Sequence, residues 1–485
     1  MKSRLGLIAF GIAMLAQAVV AQAPDRSTPP GTGAAPDFSV PAIQKFTLPN
    51  GLPVYLIEKH QVPLVQVNLL VRAGSAMDPG GKSGLASMTA AMMMEGAGKR
   101  DALALADDID YLGAQITSTS GQHSMAVRLH TPVERLDPAL ALFADIVLKP
   151  TFPAAELARR KTERLTALLQ WRDEARTLAS ITLNRTLYGE KHPYGIPSIG
   201  SEQTLRTLMR EDCAQFHATW FRPNYAALIV VGDVTLKEIR QKLSAGFGSW
   251  KAGKGAAPTL SSIKQVTGRE IVLVDKPGAP QTEIRIGRIG VPRATPDYYA
   301  LVVMNTVLGG AFSSRLNINL REEHGYTYGA SSAFDFRLLR GPFLAASAVQ
   351  TAVTEKALVE FMKELRGIRE SVSEEEVARA RNYVALAYPS DFQTVAQIAG
   401  QIEEMVFYQL PDSYFNDYVR NILSVTKENV LRVARETIDP DNLVVVLVGD
   451  RKVLEQPVKS LDLGPIVDKT IDDVLGPAPV LENKK

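Results

Sequence analysis

The sequence predicts an α+β protein of two homologous domains, each an antiparallel-rich sheet flanked by helices. Two observations carry this prediction: strand-like segments come in hairpins instead of alternating strictly with helices, and parts of the first half return in the second. The chain has 485 residues, 46% of them hydrophobic and 22% charged, which fits two large globular domains or about three smaller ones. A disordered, collagenous or multi-span membrane protein is excluded.

The first residues have the pattern of a secretory signal peptide. A short basic start precedes the apolar stretch Leu5–Ala18, and small residues follow up to Ala21, where we predict cleavage. Residues 1–21 are then a signal peptide and residues 22–40 a flexible tether, which predicts a periplasmic protein. An uncleaved membrane anchor is the alternative, although the apolar stretch is shorter than the roughly 20 residues of a membrane span.

Charge and cysteine content narrow the choice of partners and compartments. Without the two basic residues of the signal peptide, 52 basic and 52 acidic residues balance in the mature chain. This balance predicts no nucleic acid and no stable membrane insertion among its interactions. Cys213 is the single cysteine, so no internal disulfide can form and a large core must stabilise the protein.

The first domain, residues 41–250, is predicted to begin with a hairpin. In Lys45–Ile57 two strand-like segments flank Asn50 and Gly51, a turn dipeptide that favours tight hairpins. A strand, an apolar helix, a second strand and a helical region are predicted to follow at Val65–Ala73, Gly84–Met94, Gln115–His130 and Leu136–Trp171.

The second half of the chain repeats the first. Phe152–Arg160 returns 220 residues later as Val372–Ala380, and both segments read as helix starts. Likewise, Pro223–Asp233 returns as Asp441–Asp450. Two matches at nearly one offset are hard to obtain by chance, so the chain is interpreted as a duplication. The predicted boundaries are a linker at 251–269, a second domain at 270–464 and a tail at 465–485.

Several motifs, taken in their order along this duplicated chain, point to one family. They are Thr47–Leu52, Val71–Ser75 followed by Gly84–Ala86, His192–Gly195 and Leu320–Tyr328. In this order they resemble the pitrilysin-type zinc peptidases, which include insulin-degrading enzyme and the mitochondrial processing peptidase. The resemblance covers nearly the whole mature chain and implies the two-domain fold of the mitochondrial processing peptidase.

The residues that would hold zinc in that family are missing. In active members Gly-x-Ala is followed by His-x-x-Glu-His on a helix, where both imidazoles share one face and bind Zn²⁺ beside the catalytic Glu. The matching positions here are Ser87, Ala90 and Ala91, and the family's further Glu ligand falls near Ala167 and Leu168. We therefore expect no metal and no other cofactor in this chain, with zinc in a partner subunit.

Other residues do not rebuild such a site. The six histidines include no pair three or four residues apart, and His123 and His130 would lie on opposite faces of one predicted strand. Methionines in Gly84–Met94 are typical of an apolar packing helix. Cys213 precedes His217 by one helix turn, but without an evident orienting group the pair is more typical of packing than of nucleophilic catalysis.

The second domain keeps a different part of the family's site. A predicted helix containing Arg321 stops at Gly325, and Tyr328 lies on the strand beyond it. In the resembled family an Arg and a Tyr at this spacing bind the substrate backbone and support the oxyanion, and the resemblance implies this role for Arg321 and Tyr328. Spacing alone favours a structural role, with Arg321 as a helix-end cation and Tyr328 as a half-buried strand aromatic. It also does not distinguish Tyr328 from Tyr326.

Loss of the zinc ligands together with retention of the Arg/Tyr pair has a specific meaning in this family, because some of its peptidases are split into two chains. The resemblance implies a zinc-free subunit of a periplasmic heterodimeric zinc metallopeptidase. Such a subunit is inactive alone, binds unfolded peptide and completes the active site of a catalytic zinc-containing paralogue. The alternative is a non-proteolytic scaffold or assembly protein of the same fold, similar to the inactive core proteins of respiratory complexes.

Overall fold

The computed structural model describes residues 39–254, 260 and 262–481. The predicted signal peptide and most of the predicted tether lie outside the described residues, as do part of the linker and the end of the tail. The described residues form one compact unit. Within the described ranges, no helix is both long enough and apolar enough to cross a bilayer.

The first half contains one six-stranded sheet and a short two-stranded ribbon. Its strands are β1 (Gln44–Thr47), β2 (Pro53–Glu58), β3 (Leu64–Val71), β4 (Gly96–Ala97), β5 (Arg100–Asp101), β6 (Gln115–Ser120), β7 (Met125–Pro132) and β8 (Ala226–Gly232). The order in the sheet is β1-β2-β8-β3-β7-β6, while β4 pairs with β5. Only the β2–β8 pair is parallel, so the predicted antiparallel-rich sheet is confirmed.

Local sequence explains the turns of this sheet. The predicted first hairpin forms between β1 and β2, and Gly51 turns the chain with φ of 87°, a conformation open to glycine because it lacks Cβ. The prediction of one strand over Gln115–His130 is wrong. The polar residues after Ser120 form a turn, closed by the Gly121 amide donating to Ser124 O at 2.8 Å, and His123 lies in this turn instead of on the strand of His130.

Eight helices belong to the first half as described. They are α1 (Leu85–Met92), α2 (Ala102–Tyr111), α3 (Leu136–Leu148), α4 (Ala154–Trp171), α5 (Ala175–Tyr188), α6 (Glu202–Thr207), α7 (Arg210–Trp220) and α8 (Leu236–Phe247). Apolar residues of α1, α3, α4, α7 and α8 pack with the sheet into one core. The helix predicted over Gly84–Met94 is therefore present as α1 and is largely buried.

The second half repeats this sheet with one change at its edge. Its strands are β9 (Glu270–Asp275), β10 (Gln281–Ile289), β11 (Thr327–Phe334), β12 (Pro342–Gln350), β13 (Val444–Gly449) and β14 (Ile466–Lys469), in the order β11-β12-β10-β13-β9-β14. The edge strand β1 comes from the start of its half and is antiparallel to β2, whereas β14 comes from the end of the chain and is parallel to β9. The structure thus places part of the segment 465–485, predicted as a tail, in the second sheet.

Nine helices belong to the second half as described. They are α9 (Tyr298–Asn305), α10 (Arg315–Asn317), α11 (Thr354–Glu370), α12 (Glu374–Ala387), α13 (Val395–Tyr408), α14 (Tyr414–Leu423), α15 (Lys427–Thr437), α16 (Arg451–Ser460) and α17 (Ile471–Leu475). Wider π-helical turns at Thr306–Gly310 and Ile318–Glu323 follow α9 and α10.

The two halves exchange one helix each. Helix α5 of the first half packs on β10 and β13 of the second sheet, and α13 of the second half packs on β3 and β8 of the first sheet. Both helices have 14 residues and end in a tyrosine, so the exchange follows the internal repeat. Because each sheet is covered in part by the other half, the halves form one compact unit.

Candidate functional site

Helix α1 carries the positions that match the family's zinc ligands, and its start is closely packed. Gly84 precedes it with φ of 92°, and a Cβ at this glycine would lie 2.5 Å from the Ile199 carbonyl oxygen. The Asp78 carboxylate accepts from the amides of Gly84 and Ala86, both at 2.8 Å, and so caps the helix. Burial raises the pKa of Asp78 to about 7.

The four degenerate metal positions lie together on two packed helices. Ser87, Ala90 and Ala91 are on α1 and Leu168 is on α4, which packs against α1. Ala90 and Leu168 are 2% and 7% exposed, so their side chains belong to the core. The Ser87 hydroxyl is hydrogen-bonded, because its oxygen lies 2.5 Å from the carbonyl oxygen of Ser198.

A residue absent from the sequence-based prediction, Arg164, reaches this place from α4. Its Nη1 donates to Ser87 Oγ at 3.0 Å, to Gly84 O at 3.1 Å and to Ile199 O at 3.4 Å. Burial lowers the pKa of Arg164 to about 10, and the nearby Asp78 carboxylate opposes that shift. The group therefore remains a cation at neutral pH.

The residues at this place do not fit the zinc ion that the family implies. A hydroxyl, two methyl groups and a leucine side chain replace its imidazole and carboxylate ligands. Arg164 adds a positive charge 3.0 Å from the position matching the first ligand. Throughout the part of the chain that the structure describes, no group of three His, Cys, Asp or Glu side chains is arranged to hold a metal.

Cys213 and His217 on α7 are engaged in packing. Burial raises the pKa of the Cys213 thiol to about 11, which disfavours the thiolate. His217 Nε2 lies 2.8 Å from Val147 O, and its ring stacks on Phe221 with centroids 4.7 Å apart. Burial lowers the pKa of His217 to about 4, so a neutral ring donates to this carbonyl. This geometry favours the packing interpretation of the pair.

Arg321 and Tyr328 are seven residues apart in the second half, and both side chains reach solvent. Arg321 is in the π-helical turn that precedes β11; its guanidinium is 4.5 Å from the ring centroid of Phe312, which is itself 64% exposed. Tyr328 is 89% exposed, whereas Tyr326 stacks on His324 with ring centroids 5.0 Å apart. The structure thus separates two tyrosines that strand periodicity could not.

An irregularity in the edge strand β11 presents Tyr328. The register of β11 against β12 shifts between Thr327 and Ala330, as in a β-bulge. Hydrogen bonds fix this irregularity: Thr327 Oγ1 accepts from the Gly329 amide at 3.1 Å, and Ser347 Oγ donates to Gly329 O at 2.9 Å. The exposed position of Tyr328 is therefore built into the backbone.

The two parts of the predicted site belong to different halves of the chain. Across the described residues, no hydrogen bond, ion pair or ring contact joins Arg321 or Tyr328 to Ser87, Ala90 or Leu168. The degenerate positions are in the first half, and the Arg/Tyr pair lies at the edge of the second sheet.

A cavity of about 490 Å³ lies between the halves. Leu70 and Ser124 line it from the first half, and Glu403 and Glu404 line it from α13. The side chain of Arg293 is 5% exposed here and stacks over the Tyr298 ring at 3.6 Å. Sequence reasoning missed this group because its members are far apart in the chain.

Arg164 could have been found from the sequence. It lies four residues before Leu168, and residues four apart share one face of a helix. A basic residue one turn from a lost ligand position was the available signal.

Comparisons with known proteins agree with the motifs and the fold. The family model described as "Insulinase (Peptidase family M16)" matches residues 53–194, and that described as "Peptidase M16 inactive domain" matches residues 207–384. A protein named "Uncharacterized zinc protease YmxG" from Bacillus subtilis is 26% identical over 290 residues, 60% of this chain and 69% of that protein. The "Non-peptidase homolog YmxG" of Helicobacter pylori is 21% identical over 408 residues, 83% of this chain and 92% of that protein.

A solved structure is similar along most of the chain. The crystal structure of a peptidase M16 inactive domain from Pseudomonas fluorescens superposes with a TM-score of 0.79 at 28% identity, covering 84% of this chain and 98% of that one. The chain belongs to the M16 peptidase family, the pitrilysin-type family that its motifs resemble, and has the fold of inactive members. The resemblance predicted from the sequence is confirmed.

Proposed function

We propose that this protein is the zinc-free subunit of a periplasmic heterodimeric zinc metallopeptidase. In this proposal it binds an unfolded peptide and lends Arg321 and Tyr328 to the active site of a zinc-containing paralogue. The observation that carries the proposal is the presentation of Tyr328, which is 89% exposed on a hydrogen-bonded irregularity of an edge strand. An aromatic side chain held in solvent by its own backbone is available to a second molecule.

The chemistry of the pair suits a supporting role in peptide cleavage. Arg321 offers a permanent cation with several N–H donors, and Tyr328 offers a phenol that can donate to a developing oxyanion. Neither group can activate water alone, and the degenerate positions of α1 supply no metal to do so. The zinc and its bound water would therefore come from the partner. This chain would contact the peptide and the partner through Arg321 and Tyr328 and not through α1.

The periplasmic location in this proposal depends on the N-terminal sequence pattern, which predicts secretion followed by cleavage of the signal peptide after Ala21. The balanced charge of the mature chain supports protein and peptide partners over nucleic acid.

The first test is the metal content and activity of the chain alone. Protein purified alone and analysed for elements should contain well under one zinc per chain, since its donor set lacks imidazole and carboxylate groups. It should also leave unfolded peptides intact. Stoichiometric zinc with chelator-sensitive peptidase activity in this sample would contradict the proposal.

The second test uses the native complex. Affinity purification of the chain from its own cell envelope should recover a homologue that contains His-x-x-Glu-His, and the reconstituted pair should cleave peptide. Tyr328→Phe should then lower kcat by about 10- to 1000-fold without affecting assembly, the range for loss of one oxyanion donor. Arg321→Ala should lower kcat/KM as well, because a charged contact to substrate is lost.

Matched controls distinguish this role from the scaffold alternative. Tyr326→Phe changes the neighbouring tyrosine, whose ring stacks on His324, and Arg379→Ala removes a 48% exposed arginine of α12 in the same half. Both control variants should retain turnover, and size-exclusion chromatography checks assembly. If Tyr328→Phe and Arg321→Ala cleave peptide as fast as these controls, the pair has no catalytic role and the scaffold interpretation replaces the proposal.

A further inference from the structure

We propose that Arg164 is a built-in cation that replaces the metal of the ancestral site and that this site is now specific for a guanidinium group. The inference concerns the degenerate site of the first half and does not depend on a partner subunit. It explains how α1, α4 and the loop at Ile199 stay joined after the loss of the zinc ligands.

The contacts of Arg164 converge on one nitrogen. Its Nη1 lies 3.0 Å from Ser87 Oγ, 3.1 Å from Gly84 O and 3.4 Å from Ile199 O. These oxygens belong to α1, to the residue before it and to the loop that follows Ser198. A single charged group on α4 therefore holds three segments, as a bound metal ion does when its ligands come from different elements.

The acceptors around Arg164 differ from those of its neighbours on the same helix. Arg159 and Arg160 face the buried carboxylate of Glu95, with Arg159 Nη2 at 2.6 Å from Glu95 Oε2. Within the described chain, Arg164 has no carboxylate within ion-pair distance, and it donates to the neutral oxygens of Gly84, Ser87 and Ile199. Asp78 lies near enough to interact electrostatically but is hydrogen-bonded to the start of α1. The site is therefore a cradle of neutral oxygens around a cation.

The equivalent position of the second half shows that this cation is not a requirement of the fold. By the internal repeat Arg164 corresponds to Val384, which lies on α12, the counterpart of α4. Helix α12 packs against α9 as α4 packs against α1. The first half thus has an arginine at a position where the second half has an apolar residue. The first half is also the one that carries the zinc site in active members of the family.

The test is chemical rescue of Arg164→Ala in the full mature chain. The truncation removes the guanidinium but leaves the surrounding oxygens, so the variant should unfold at a lower temperature than the parent protein. Guanidinium chloride at low millimolar concentration should bind the vacated space and raise the unfolding midpoint of the variant, because a ligand that binds only the folded state stabilises it. The same concentration should leave the midpoint of the parent protein unchanged.

Two controls make the result specific. Sodium chloride at equal concentration measures the effect of ionic strength, and Arg176→Ala, which removes a 78% exposed arginine on α5, should respond to neither salt. Arg164→Lys keeps the charge with a different geometry, should fold, and should lie between the parent protein and Arg164→Ala in midpoint. If guanidinium stabilises Arg164→Ala no more than sodium, or if Arg164→Lys is as stable as the parent, the guanidinium-specific site is refuted.

A metal-binding experiment tests the second half of the inference. Ser87→His, Ala90→Glu, Ala91→His and Leu168→Glu together would restore the ligand types of the family, with Arg164 kept in one variant and replaced by Ala in the other. Zinc affinity measured by calorimetry should be at least tenfold higher without Arg164, because like charges repel at short range. Equal zinc affinity in the two variants would show that Arg164 does not exclude the metal.

Discussion

The two exchanged helices meet their sheets through opposite chemistry. Helix α5 covers the second sheet with an apolar contact in which Leu178, Ile181 and Leu183 pack among valines of β9 and β13. Helix α13 covers the first sheet through a polar contact centred on Glu403. The fold therefore accepts an apolar contact at this position, and the polar one must be explained by something other than the fold.

The polar contact is a connected chain of hydrogen bonds. His130 Nδ1 lies 3.0 Å from Gln66 Oε1, and the Gln66 amide donates to Asn68 Oδ1 at 2.6 Å. Asn68 and Arg128 then donate to the Glu403 carboxylate, at 3.1 Å and 2.6 Å. Gln66 and Asn68 are 4% and 1% exposed, so a shift of α13 would leave buried polar groups without partners.

The difference between the contacts matches their surroundings. Glu403 also lines the cavity between the halves, whereas the apolar contact of α5 continues into the core of the second half through Val474 of α17. Apolar packing tolerates small displacements of a helix, but a network of directional hydrogen bonds specifies one position. We conclude that α5 contributes mainly stability and that α13 is held in a defined position beside the cavity.

The largest effect on the free energy of unfolding is expected when one residue of either helix–sheet contact is substituted. Glu403→Leu leaves Arg128 and the buried Asn68 without their acceptor and should lower the free energy of unfolding by about 3 kcal/mol. Leu183→Ala, in the apolar contact, should lower it by about 2–5 kcal/mol. Denaturant unfolding of the two variants measures both losses.

A second substitution in each contact separates their chemistry. Adding Arg128→Met to Glu403→Leu removes the other charge and should recover part of the lost stability, because the remaining cost was an unpaired group. Adding Ala179→Gly to Leu183→Ala should only increase the loss. A double variant of the polar contact that is less stable than Glu403→Leu alone would show that the two contacts are equivalent.

Sequence patterns predicted the individual strands, helices and turns of the two halves better than the way in which the halves exchange helices. The hairpin around Gly51, the helix from Leu85 and the return of a strand at Val444 each follow from local patterns of apolar and turn residues. The exchange of α5 and α13 was not predicted, because a repeat shows that the halves are alike and not which half covers which sheet. The Gln115–His130 error has the same origin, since alternation continues on both sides of a short polar turn.

The candidate site was predictable from the sequence only where the identity of a single residue decides its chemistry. The loss of zinc ligands at Ser87, Ala90, Ala91 and Leu168 can be read from the sequence alone. The bulge that presents Tyr328 depends on Ser347, which lies on another strand, and so required the structure. The polar network around Glu403 likewise joins residues more than half the chain apart.

The prediction of intermediate size concerns stability in acid. In each half a side chain of one helix donates a hydrogen bond to a backbone carbonyl near the end of another helix, but the donor residue differs between the halves. His217 on α7 bonds to Val147 O near the end of α3 at 2.8 Å, and Arg435 on α15 bonds to Arg369 O near the end of α11 at 2.9 Å. The pKa of His217 is lowered to about 4 in the folded protein, mainly by burial and further by the Arg222 charge. An unfolded histidine has a pKa of about 6.5.

The sign of the effect follows from these values. Below about pH 6.5 the unfolded chain binds a proton at His217 that the folded protein binds only near pH 4, so stability present at neutral pH is lost as the pH falls through this window. The loss should reach roughly 3 kcal/mol at pH 4. His217→Gln retains an N–H donor and should reduce the pH dependence of unfolding over this window.

Arg435→Gln is the matched control in the second half. Arginine does not titrate in this window, so the slope of stability against pH should match that of the parent protein. Burial also lowers the pKa of His123 to about 4 and lowers the pKa of His130, so these two residues should contribute to the acid sensitivity that remains in His217→Gln. An unchanged slope in His217→Gln would contradict the assignment of this sensitivity to α7.

The smallest expected effect lies at the ends of the exchanged helices. The hydroxyls of Tyr188 on α5 and Tyr408 on α13 donate to carbonyl oxygens of one loop in the second half, Arg340 O at 3.1 Å and Phe336 O at 2.9 Å. Each Tyr→Phe variant should lose about 1 kcal/mol of stability, the net value of one hydrogen bond. Because both bonds end on the same loop, the double variant should lose measurably less than the sum, since the first loss already loosens the segment that the second bond holds. Additive losses in denaturant unfolding would show that the loop responds to each hydrogen bond separately. The end of the exchanged helix α5 would then be coupled to the second half no more strongly than an ordinary surface contact.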